Sequence, residues 1–568
     1  MIKGIPASSG ITMGKALAIK KADIVIEKKT VSSVESEKNR FLDSIREAKE
    51  QVERIRINTE KKIGKEKAEI FGAHLMMLED TELIGAVSTK IEEGVNAEYA
   101  VKETIEMFSA IFEQMENEYM RERAADVKDI GNRLINVLLG ISDNSLAAID
   151  GECIIVTKDL TPSDTAQMDT QKVLGFVTDM GGRTSHSAIM ARTLEIPAVV
   201  GTKDATSNIN NGDYIIVDGN EGLVIVNPDK ATIEKYEATR QKELKAKQEL
   251  SIYVNAESKT LDGRRVEVAA NIGRPGDLEG VIRNGAEGVG LFRTEFLYMD
   301  RDNFPSEEEQ FEAYKEVLER MQGKPVIIRT LDIGGDKKLT YLSIGDEMNP
   351  FLGYRAIRIC LDRKDIFKTQ LRALYRASIY GNLKIMFPMI SNLKEILAAK
   401  QVIAEIKEEL DREKLEYNDS VKVGIMIEIP SAAVMSDILA KHVDFFSIGT
   451  NDLIQYTTAV DRMNEKIAHL YDPFNTSVLR LIKTVIDNGH KSGIEVGMCG
   501  EMAGDPTLVP ILLGFGLDEF SMSASSMLNA RKIINNMNYE KAKNAAQEVL
   551  SMETSDEIKE YANSAFQE

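Results

Sequence analysis

Cysteine is scarce in this chain of 568 residues, and its scarcity excludes two classes of protein. Cys153, Cys360 and Cys499 are odd in number, widely spaced and without a C-x-x-C pair. A disulfide-stabilised framework and a cysteine-rich structural zinc site are therefore excluded, and the pattern favours a reducing compartment.

Positive charge is also in deficit. The chain carries 71 Lys and Arg against 91 Asp and Glu, a formal net charge of −20. The phosphates of nucleic acids and anionic membranes would be repelled by such a surface, whereas a basic protein partner would suit it. No apolar run is long enough to span a bilayer, and residues 1–6 lack the apolar core of a signal peptide. We expect a cytoplasmic protein that binds no nucleic acid and does not insert into membranes.

The composition and hydrophobic pattern change several times along this long chain, which predicts two to four domains. Residues 1–20 and 144–227 contain short apolar segments and glycine turns, and we predict that together they form one α/β domain. Residues 21–143 read as long amphipathic helices and would be a helical subdomain inserted into it. Residues 228–260 are predicted to be a helical linker to a domain that covers 261–568.

Within that last domain, short apolar runs alternate regularly with helical stretches. Eight runs read as strands: 266–272, 288–292, 326–329, 384–388, 423–427, 443–448, 494–498 and 519–522. Eight strand–helix units favour a (β/α)8 TIM barrel over a doubly wound sheet. The predicted fold class is thus α/β multidomain, with an N-terminal α/β domain that carries a helical insert and a C-terminal TIM barrel.

One histidine lies at a junction that favours phosphate. His186 follows the glycine pair Gly181 and Gly182 and precedes a predicted helix over 188–194. The first N–H groups of a helix have no internal partner and stabilise an anion placed there. His186 could therefore carry a phosphoryl group covalently, or it could be incidental to a helix cap.

Polar residues gather at the predicted carboxyl ends of the barrel strands, where TIM barrels keep their active sites. Arginine forks recognise phosphate and carboxylate, and two carboxylates suit Mg²⁺, which takes its remaining ligands from substrate and water. We therefore predict an anionic ligand and Mg²⁺ at this end of the barrel. The residues concerned are Arg293, Arg329, Arg355, Glu428, Asn451, Asp452, Arg462 and Cys499.

Residues 160–166 and 181–192 resemble the phosphohistidine domain of enzymes that exchange phosphate with phosphoenolpyruvate. The barrel segments 292–295, 329–337, 349–355, 427–430, 447–453 and 498–501 resemble the substrate-binding motifs of the same family. Within it, the chain is most similar to the enzyme I family of the bacterial sugar phosphotransferase system.

The resemblance implies a phosphoryl relay. His186 would take the phosphoryl group of phosphoenolpyruvate, with Thr165 orienting its ring, and would pass it to a histidine of a small phosphocarrier protein. Cys499 would protonate the enolate to give pyruvate. A swivel of the N-terminal half about the linker would let His186 serve both sites.

The resemblance also assigns the remaining roles. The phosphate would be held by Arg293, Arg329 and Arg462, with Arg355 close by. Asn451 would orient the substrate, and Glu428 and Asp452 would hold Mg²⁺. His74, Met76 and Met77 would contact the phosphocarrier, although core packing explains that cluster equally well. A homodimer through the barrel is implied.

Three alternatives remain open from the sequence. A dikinase or synthase that regenerates phosphoenolpyruvate with ATP would need a further nucleotide-binding domain, and a paralogue serving nitrogen regulation would carry an additional N-terminal sensory domain. A non-catalytic regulator that only binds phosphoenolpyruvate or the carrier would tolerate the loss of His186 or Cys499, and both are present.

Overall fold

The chain forms two compact units in the computed structural model, Met1–Lys247 and Gln248–Glu568. The structure describes residues 1–19, 26–63, 65–113, 118–141, 151–160, 172–182, 185, 187–188, 191–192, 196–299, 301–335, 337, 339–342, 345, 347–464 and 466–566. Among these, no helix is long and apolar enough to cross a membrane.

The first unit contains a mixed sheet of eight strands in the order β1-β8-β7-β3-β4-β5-β6-β2. The strands are β1 Ile2–Lys3, β2 Ile5–Ser8, β3 Ile11–Ile19, β4 Cys153–Thr157, β5 Val173–Thr178, β6 Ala198–Val200, β7 Tyr214–Asp218 and β8 Leu223–Val226. Strand β3 pairs in parallel with β4, so the first residues of the chain and the segment beyond residue 150 share one sheet.

Five helices come between β3 and β4 along the described chain. They are α1 Val34–Ile63, α2 Lys65–Met77, α3 Thr81–Glu92, α4 Ala97–Glu113 and α5 Glu118–Leu139. Phe41, Ile45, Ala48 and Val52 of α1 recur at steps of four and three, and all four side chains are buried against the other helices. This helical block therefore has a core of its own, as an inserted subdomain requires. Two further helices of this part of the chain are Ala205–Asn208 and Lys230–Ser251.

The second unit is built on a closed barrel of eight parallel strands. The strands are β9 Glu267–Ile272, β10 Gly288–Arg293, β11 Pro325–Arg329, β12 Asn382–Phe387, β13 Lys422–Ile427, β14 Phe445–Ile448, β15 Glu495–Met498 and β16 Glu519–Met522. Each pairs in parallel with the next, and β16 pairs with β9 to close the circuit. All eight predicted strands are present, with ends that differ by no more than two residues, and the predicted fold class is confirmed.

Helices surround the barrel and cover its outer face. Longer ones follow the strands as Glu307–Arg320, Lys364–Ala377, Leu393–Glu413, Thr450–Thr458, Thr476–Lys491, Val509–Phe515, Met527–Asn535, Tyr539–Val549 and Ser555–Ala565. Shorter ones are Leu278–Arg283, Ile357–Asp362, Pro430–Val434 and Ser436–Leu439. The 3-10 turns are Pro275–Asp277, Thr294–Leu297, Pro350–Leu352, Ser378–Tyr380, Ala440–His442, Ala468–Leu470 and Glu501–Gly504.

The amino-terminal end of the barrel interior holds a buried cluster of ionisable side chains. Burial, with the nearby Glu519, raises the pKa of Glu267 to about 8, and burial raises the pKa of Glu519 to about 7 against the opposing charge of Lys384. A Cβ atom at Gly288 would lie 2.3 Å from Glu267 Oε1, and one at Gly290 would lie 2.1 Å from Glu519 Oε1. The two glycines thus provide the space that these carboxyl groups occupy.

This cluster predicts a loss of barrel stability with rising pH. Both acids bind a proton more tightly in the folded chain than in the unfolded one, so their contribution is complete below about pH 4.5 and is lost as the pH rises through about 7 to 8. Glu519→Gln replaces one acid by a neutral amide, and we expect the decrease in unfolding free energy between pH 6 and pH 9 to shrink by roughly 1–2 kcal/mol.

Denaturant unfolding followed by circular dichroism at both pH values measures this difference. The exposed Glu416 provides the matched control, because Glu416→Gln makes the same chemical change in solvent. An unchanged pH dependence in Glu519→Gln would contradict the assignment.

Candidate active site

The predicted substrate-binding residues meet at the carboxyl-terminal end of the barrel. Arg293 and Arg329 are the last residues of the neighbouring strands β10 and β11 and lie opposite each other in register. Glu428 and Cys499 directly follow β13 and β15. Because all eight strands are parallel, these four positions lie at one mouth of the barrel.

Two buried arginines at this mouth share one carboxylate. Arg329 Nη1 lies 2.9 Å from Asp332 Oδ2, and Arg355 Nη2 donates to Asp332 Oδ1 at 2.9 Å. Burial opposes the ionisation of Asp332, but the two guanidinium groups outweigh it and hold the pKa of this carboxyl well below its usual range. Asp332 is therefore an anion that fixes both arginines.

A second buried carboxylate holds Arg329 from the other side. Glu295 has no exposed surface, and its Oε1 accepts from Arg329 Nη2 at 2.6 Å and from Lys337 Nζ. Burial opposes ionisation here too, yet Arg329 and Lys337 together lower the pKa of Glu295. The guanidinium of Arg329 is thus oriented by two carboxylates.

The remaining predicted substrate residues are half-buried at the rim. Arg293 forms no ion pair with any residue of the described ranges, which leaves its guanidinium available to an anion. Arg462 Nη1 lies 3.6 Å from Asp452 Oδ1. Asn451 Oδ1 accepts from the Glu501 N–H at 3.1 Å, which fixes the orientation of its amide.

The two predicted metal ligands lie in the same electrostatic environment. Burial, with Asp452 and Asp332 nearby, raises the pKa of Glu428 to about 8, although Arg329 and Arg355 oppose the shift. Glu428 Oε1 accepts from the Met389 N–H at 2.5 Å. This carboxyl would lose its proton readily only if a further positive charge approached it.

Asp452 has one oxygen that accepts no hydrogen bond from the described residues and lies 3.6 Å from the Arg462 guanidinium. Its Oδ2 accepts from Arg355 Nη2 at 3.2 Å, while its buried Oδ1 accepts no hydrogen bond in the described part of the chain. The same ranges contain no group of three or more His, Cys, Asp or Glu side chains placed to enclose a metal. Two carboxylates without a full protein cage fit a hard divalent cation that takes its other ligands from substrate and water.

Cys499 is a buried thiol at the centre of the mouth. Its Sγ donates to the Ile448 carbonyl at 3.9 Å, and its own carbonyl accepts from Asn271 Nδ2 at 3.0 Å. Ser521 Oγ in turn donates to Asn271 Oδ1 at 2.6 Å. Burial raises the pKa of Cys499 to about 11, so the group remains a thiol with a proton to give at neutral pH.

The segment around position 186 belongs to the first unit. Gly181 has a φ of +103°, which favours glycine, and the chain then turns so that Ser185 Oγ donates to the Gly182 carbonyl at 2.8 Å. Ser185 Oγ also accepts from the Ala188 N–H at 3.4 Å, a capping contact at a helix start. His186 and Thr165 themselves lie outside the described residues.

The predicted carrier-binding residues have unequal access to solvent. His74 is fully buried, with Nε2 3.3 Å from Asp126 Oδ1 and Nδ1 3.7 Å from Asp129 Oδ2. The prediction is therefore corrected for His74, whose ring packs inside the helical block and offers no surface to a partner. Met76 is 68% exposed, and Met77 is half-buried against the core.

Sequence reasoning missed three residues of this site. Asp332, which fixes two arginines, stands three positions after Arg329, a spacing that could have marked it as an ion-pair partner. Asn271 donates to the Cys499 carbonyl and accepts from Ser521 Oγ. These two residues come from the first and last strands of the barrel, and no local pattern links them.

The chain matches three parts of one enzyme family in order along its length. Residues 3–123 match the N-terminal part of PEP-utilising enzymes, residues 149–222 their mobile domain, and residues 247–539 their PEP-binding domain. The barrel mouth described above falls in the last of these matches.

Named relatives are similar over the whole chain. The phosphoenolpyruvate-protein phosphotransferase of Bacillus subtilis (strain 168) is 55% identical over 566 residues, 100% of this chain and 99% of the relative. That of Listeria innocua serovar 6a is 54% identical over 560 residues, 98% of each. An NMR solution structure of Enzyme I (nEIt) is 47% identical and covers 43% of this chain and 99% of its own, with a TM-score of 0.39. The resemblance to enzyme I is confirmed, and the chain belongs to the phosphoenolpyruvate-protein phosphotransferase family.

Proposed function

We propose that the chain transfers the phosphoryl group of phosphoenolpyruvate to His186 and from there to a histidine of a small phosphocarrier protein, releasing pyruvate. The observation that carries the proposal is the barrel mouth, where oriented arginines, two carboxylates and a buried thiol occur together. The identity to phosphotransferases over the full chain favours this function over that of an ATP-dependent dikinase or synthase.

The arginines would bind the two anionic groups of the substrate. Phosphoenolpyruvate carries a phosphate and a carboxylate, and guanidinium forks bind both types of group bidentately. Arg293, Arg329 and Arg462 would hold the phosphate with Arg355 close by, and Asn451 would orient the substrate. Preorganised donors that need not move during the reaction stabilise the charge on the transferring group most effectively.

Glu428 and Asp452 would hold Mg²⁺. When bound, this ion would neutralise charge on the phosphate oxygens and complete its shell with substrate and water. The pKa of Glu428, which burial and the like charges of Asp452 and Asp332 raise, and the Asp452 Oδ1, which accepts no hydrogen bond from the described residues, support this assignment.

The transfer itself would use two side chains. A neutral ring nitrogen of His186, oriented by Thr165, attacks the phosphorus, and the bond from phosphorus to the enol oxygen breaks. The electron pair released forms the enolate of pyruvate, and Cys499 Sγ–H gives its proton to the enolate carbon. The thiolate then regains a proton from solvent. Because His186 and the barrel residues belong to different compact units, we retain the predicted swivel as part of the proposal.

The proposed partners follow from the same relay. A histidine-containing phosphocarrier would dock on the helical block α1–α5, with Met76 as an exposed apolar contact. We further propose a homodimer formed through the barrel, as the family resemblance implies.

We expect His186→Ala to abolish phosphoryl transfer while leaving phosphoenolpyruvate binding intact, because the arginines belong to the other unit. Incubation with labelled phosphoenolpyruvate and Mg²⁺, followed by mapping of acid-labile phosphate, measures the first effect. Calorimetric titration measures the second. Label on another residue, or label that requires ATP, would overturn the proposal.

We expect Glu428→Gln to raise the Mg²⁺ concentration needed for half-maximal phosphorylation by at least about tenfold, because an amide is a weaker ligand than a carboxylate. Phosphohistidine formation at a series of Mg²⁺ concentrations measures the shift. Asp461→Asn removes an exposed carboxylate from the loop before Arg462 and is the charge-matched control. Equal shifts in both variants would count against a metal site at Glu428.

We expect Cys499→Ser to slow pyruvate formation by about a hundredfold or more, the usual contribution of a general acid, because a serine hydroxyl is a far weaker acid. Phosphohistidine formation in a single turnover should be affected less. Phosphoenolpyruvate with tritium at one defined C3 position, turned over in deuterated water, should give a methyl group of one chirality with the native protein, and the variant should lose that selectivity. Stereochemical analysis of the chiral methyl group of the trapped pyruvate reports the face. Unchanged rate and selectivity would show that Cys499 is not the donor.

A further inference from the structure

We propose that Gln370 is a positioning residue for the substrate-binding arginines, acting through the backbone of two neighbouring strand ends. The inference rests on the proposed function of the barrel mouth. Gln370 lies on the helix Lys364–Ala377, outside the barrel, and its side chain has no exposed surface. Within the described residues, its amide makes no hydrogen bond to an arginine side chain.

The Gln370 amide contacts both segments that carry the site. Its Oε1 accepts from the Leu331 N–H at 2.9 Å, and its Nε2 donates to Thr294 Oγ1 at 3.1 Å. Thr294 Oγ1 in turn donates to the Arg329 carbonyl at 2.8 Å. One amide from the outer layer of helices therefore ties the end of β10 to the end of β11.

The two residues that the Gln370 amide contacts, Thr294 and Leu331, are adjacent in the sequence to residues of the site. Thr294 stands between Arg293 and Glu295, and Leu331 stands between Arg329 and Asp332. Glu295 and Asp332 are the two carboxylates that orient the Arg329 guanidinium. A shift of either segment would thus move the arginine or the groups that hold it.

The chemistry of these contacts requires an amide. The single proton of the Thr294 hydroxyl is committed to the Arg329 carbonyl, so Thr294 must accept from its other neighbour. The Leu331 N–H needs an acceptor, since β11 ends at Arg329. Glutamine supplies one acceptor and two donors in a single group, and the second donor reaches Tyr314 Oη at 3.2 Å. Neither a carboxylate nor an apolar side chain of the same size could satisfy all three.

A second buried glutamine, Gln310, provides a control that distinguishes the positioning of the arginines from core packing. Gln310, 1% exposed, also makes three hydrogen bonds, with Tyr298 Oη at 2.9 Å, Tyr314 Oη at 3.1 Å and the Pro305 carbonyl at 3.1 Å. Its contacts include neither Thr294 nor Leu331. Gln310→Met therefore removes the same number of buried side-chain hydrogen bonds, including one to the Tyr314 hydroxyl that Gln370 also contacts, without releasing the two strand ends.

The experiment compares Gln370→Met with Gln310→Met, each in the His186→Ala protein so that no turnover follows binding. Phosphoenolpyruvate with Mg²⁺ is the probe, its Kd is measured by calorimetry, and Tm is measured in parallel. We expect similar decreases in Tm, a rise in Kd of about tenfold or more for Gln370→Met, and a change within about twofold for Gln310→Met. Equal effects on Kd, or no effect of Gln370→Met, would overturn the inference.

A double-mutant cycle tests the route of the effect. Thr294→Val keeps the shape of the side chain but removes the link to the Arg329 carbonyl. If Gln370 acts through Thr294, the two substitutions together should raise Kd by less than the product of their separate effects. A strictly multiplicative effect would contradict this route. If the His186→Ala protein alone fails to bind phosphoenolpyruvate, the proposed function fails instead, so the two failures are distinguishable.

Discussion

Two buried guanidinium groups share one carboxylate, Asp332, and the geometry of the barrel mouth depends on that sharing. Arg329 and Arg355 come from different segments, and both lie 2.9 Å from Asp332. A buried charge is costly unless it is paired, so the loss of Asp332 would remove one carboxylate partner from both arginines at once and leave Arg329 with Glu295 and Arg355 with Asp452. Because the pairing occurs away from water, the two forks are oriented before any ligand arrives, which is the condition for strong electrostatic stabilisation of a transferring phosphoryl group.

The buried carboxyl groups at the mouth are of two kinds, those whose pKa is lowered by nearby cations and one, Glu428, whose pKa is raised. Glu295 and Asp332 have lowered pKa values because the cations of Arg329, Lys337 and Arg355 surround them. Burial raises the pKa of Glu428, and the like charges of Asp452 and Asp332 raise it further against the opposing Arg329 and Arg355. Glu295 and Asp332 hold the arginines in place, and a divalent cation would balance the charge of Glu428. Such a division explains how one small region could bind both an anion and a metal.

The barrel was predictable from the sequence because parallel strands buried on both faces appear as short apolar runs, and the polar residues that end them mark the active-site end. The partners of those residues were less accessible. Gln370 reaches Leu331 from a helix 39 positions away, and Asn271 meets Cys499 across the closure of the barrel. His74 shows the same limit, since a Met-rich segment has one composition whether it faces solvent or a buried pair of aspartates. Local patterns locate the elements, whereas the pairing of side chains is decided by the tertiary fold.

Burial raises the pKa of both the Cys499 thiol and the proposed metal ligand Glu428, although their functions would require opposite protonation states. It raises the pKa of Cys499 to about 11 and that of Glu428 to about 8. A proton donor needs the proton that burial preserves, so for Cys499 the environment and the role agree. A metal ligand must lose its proton, and an arriving cation could lower the raised pKa of Glu428 by direct attraction. The same buried region can therefore keep the Cys499 thiol protonated and still allow Glu428 to ionise. Which of the two loses its proton would depend on which of them a cation contacts.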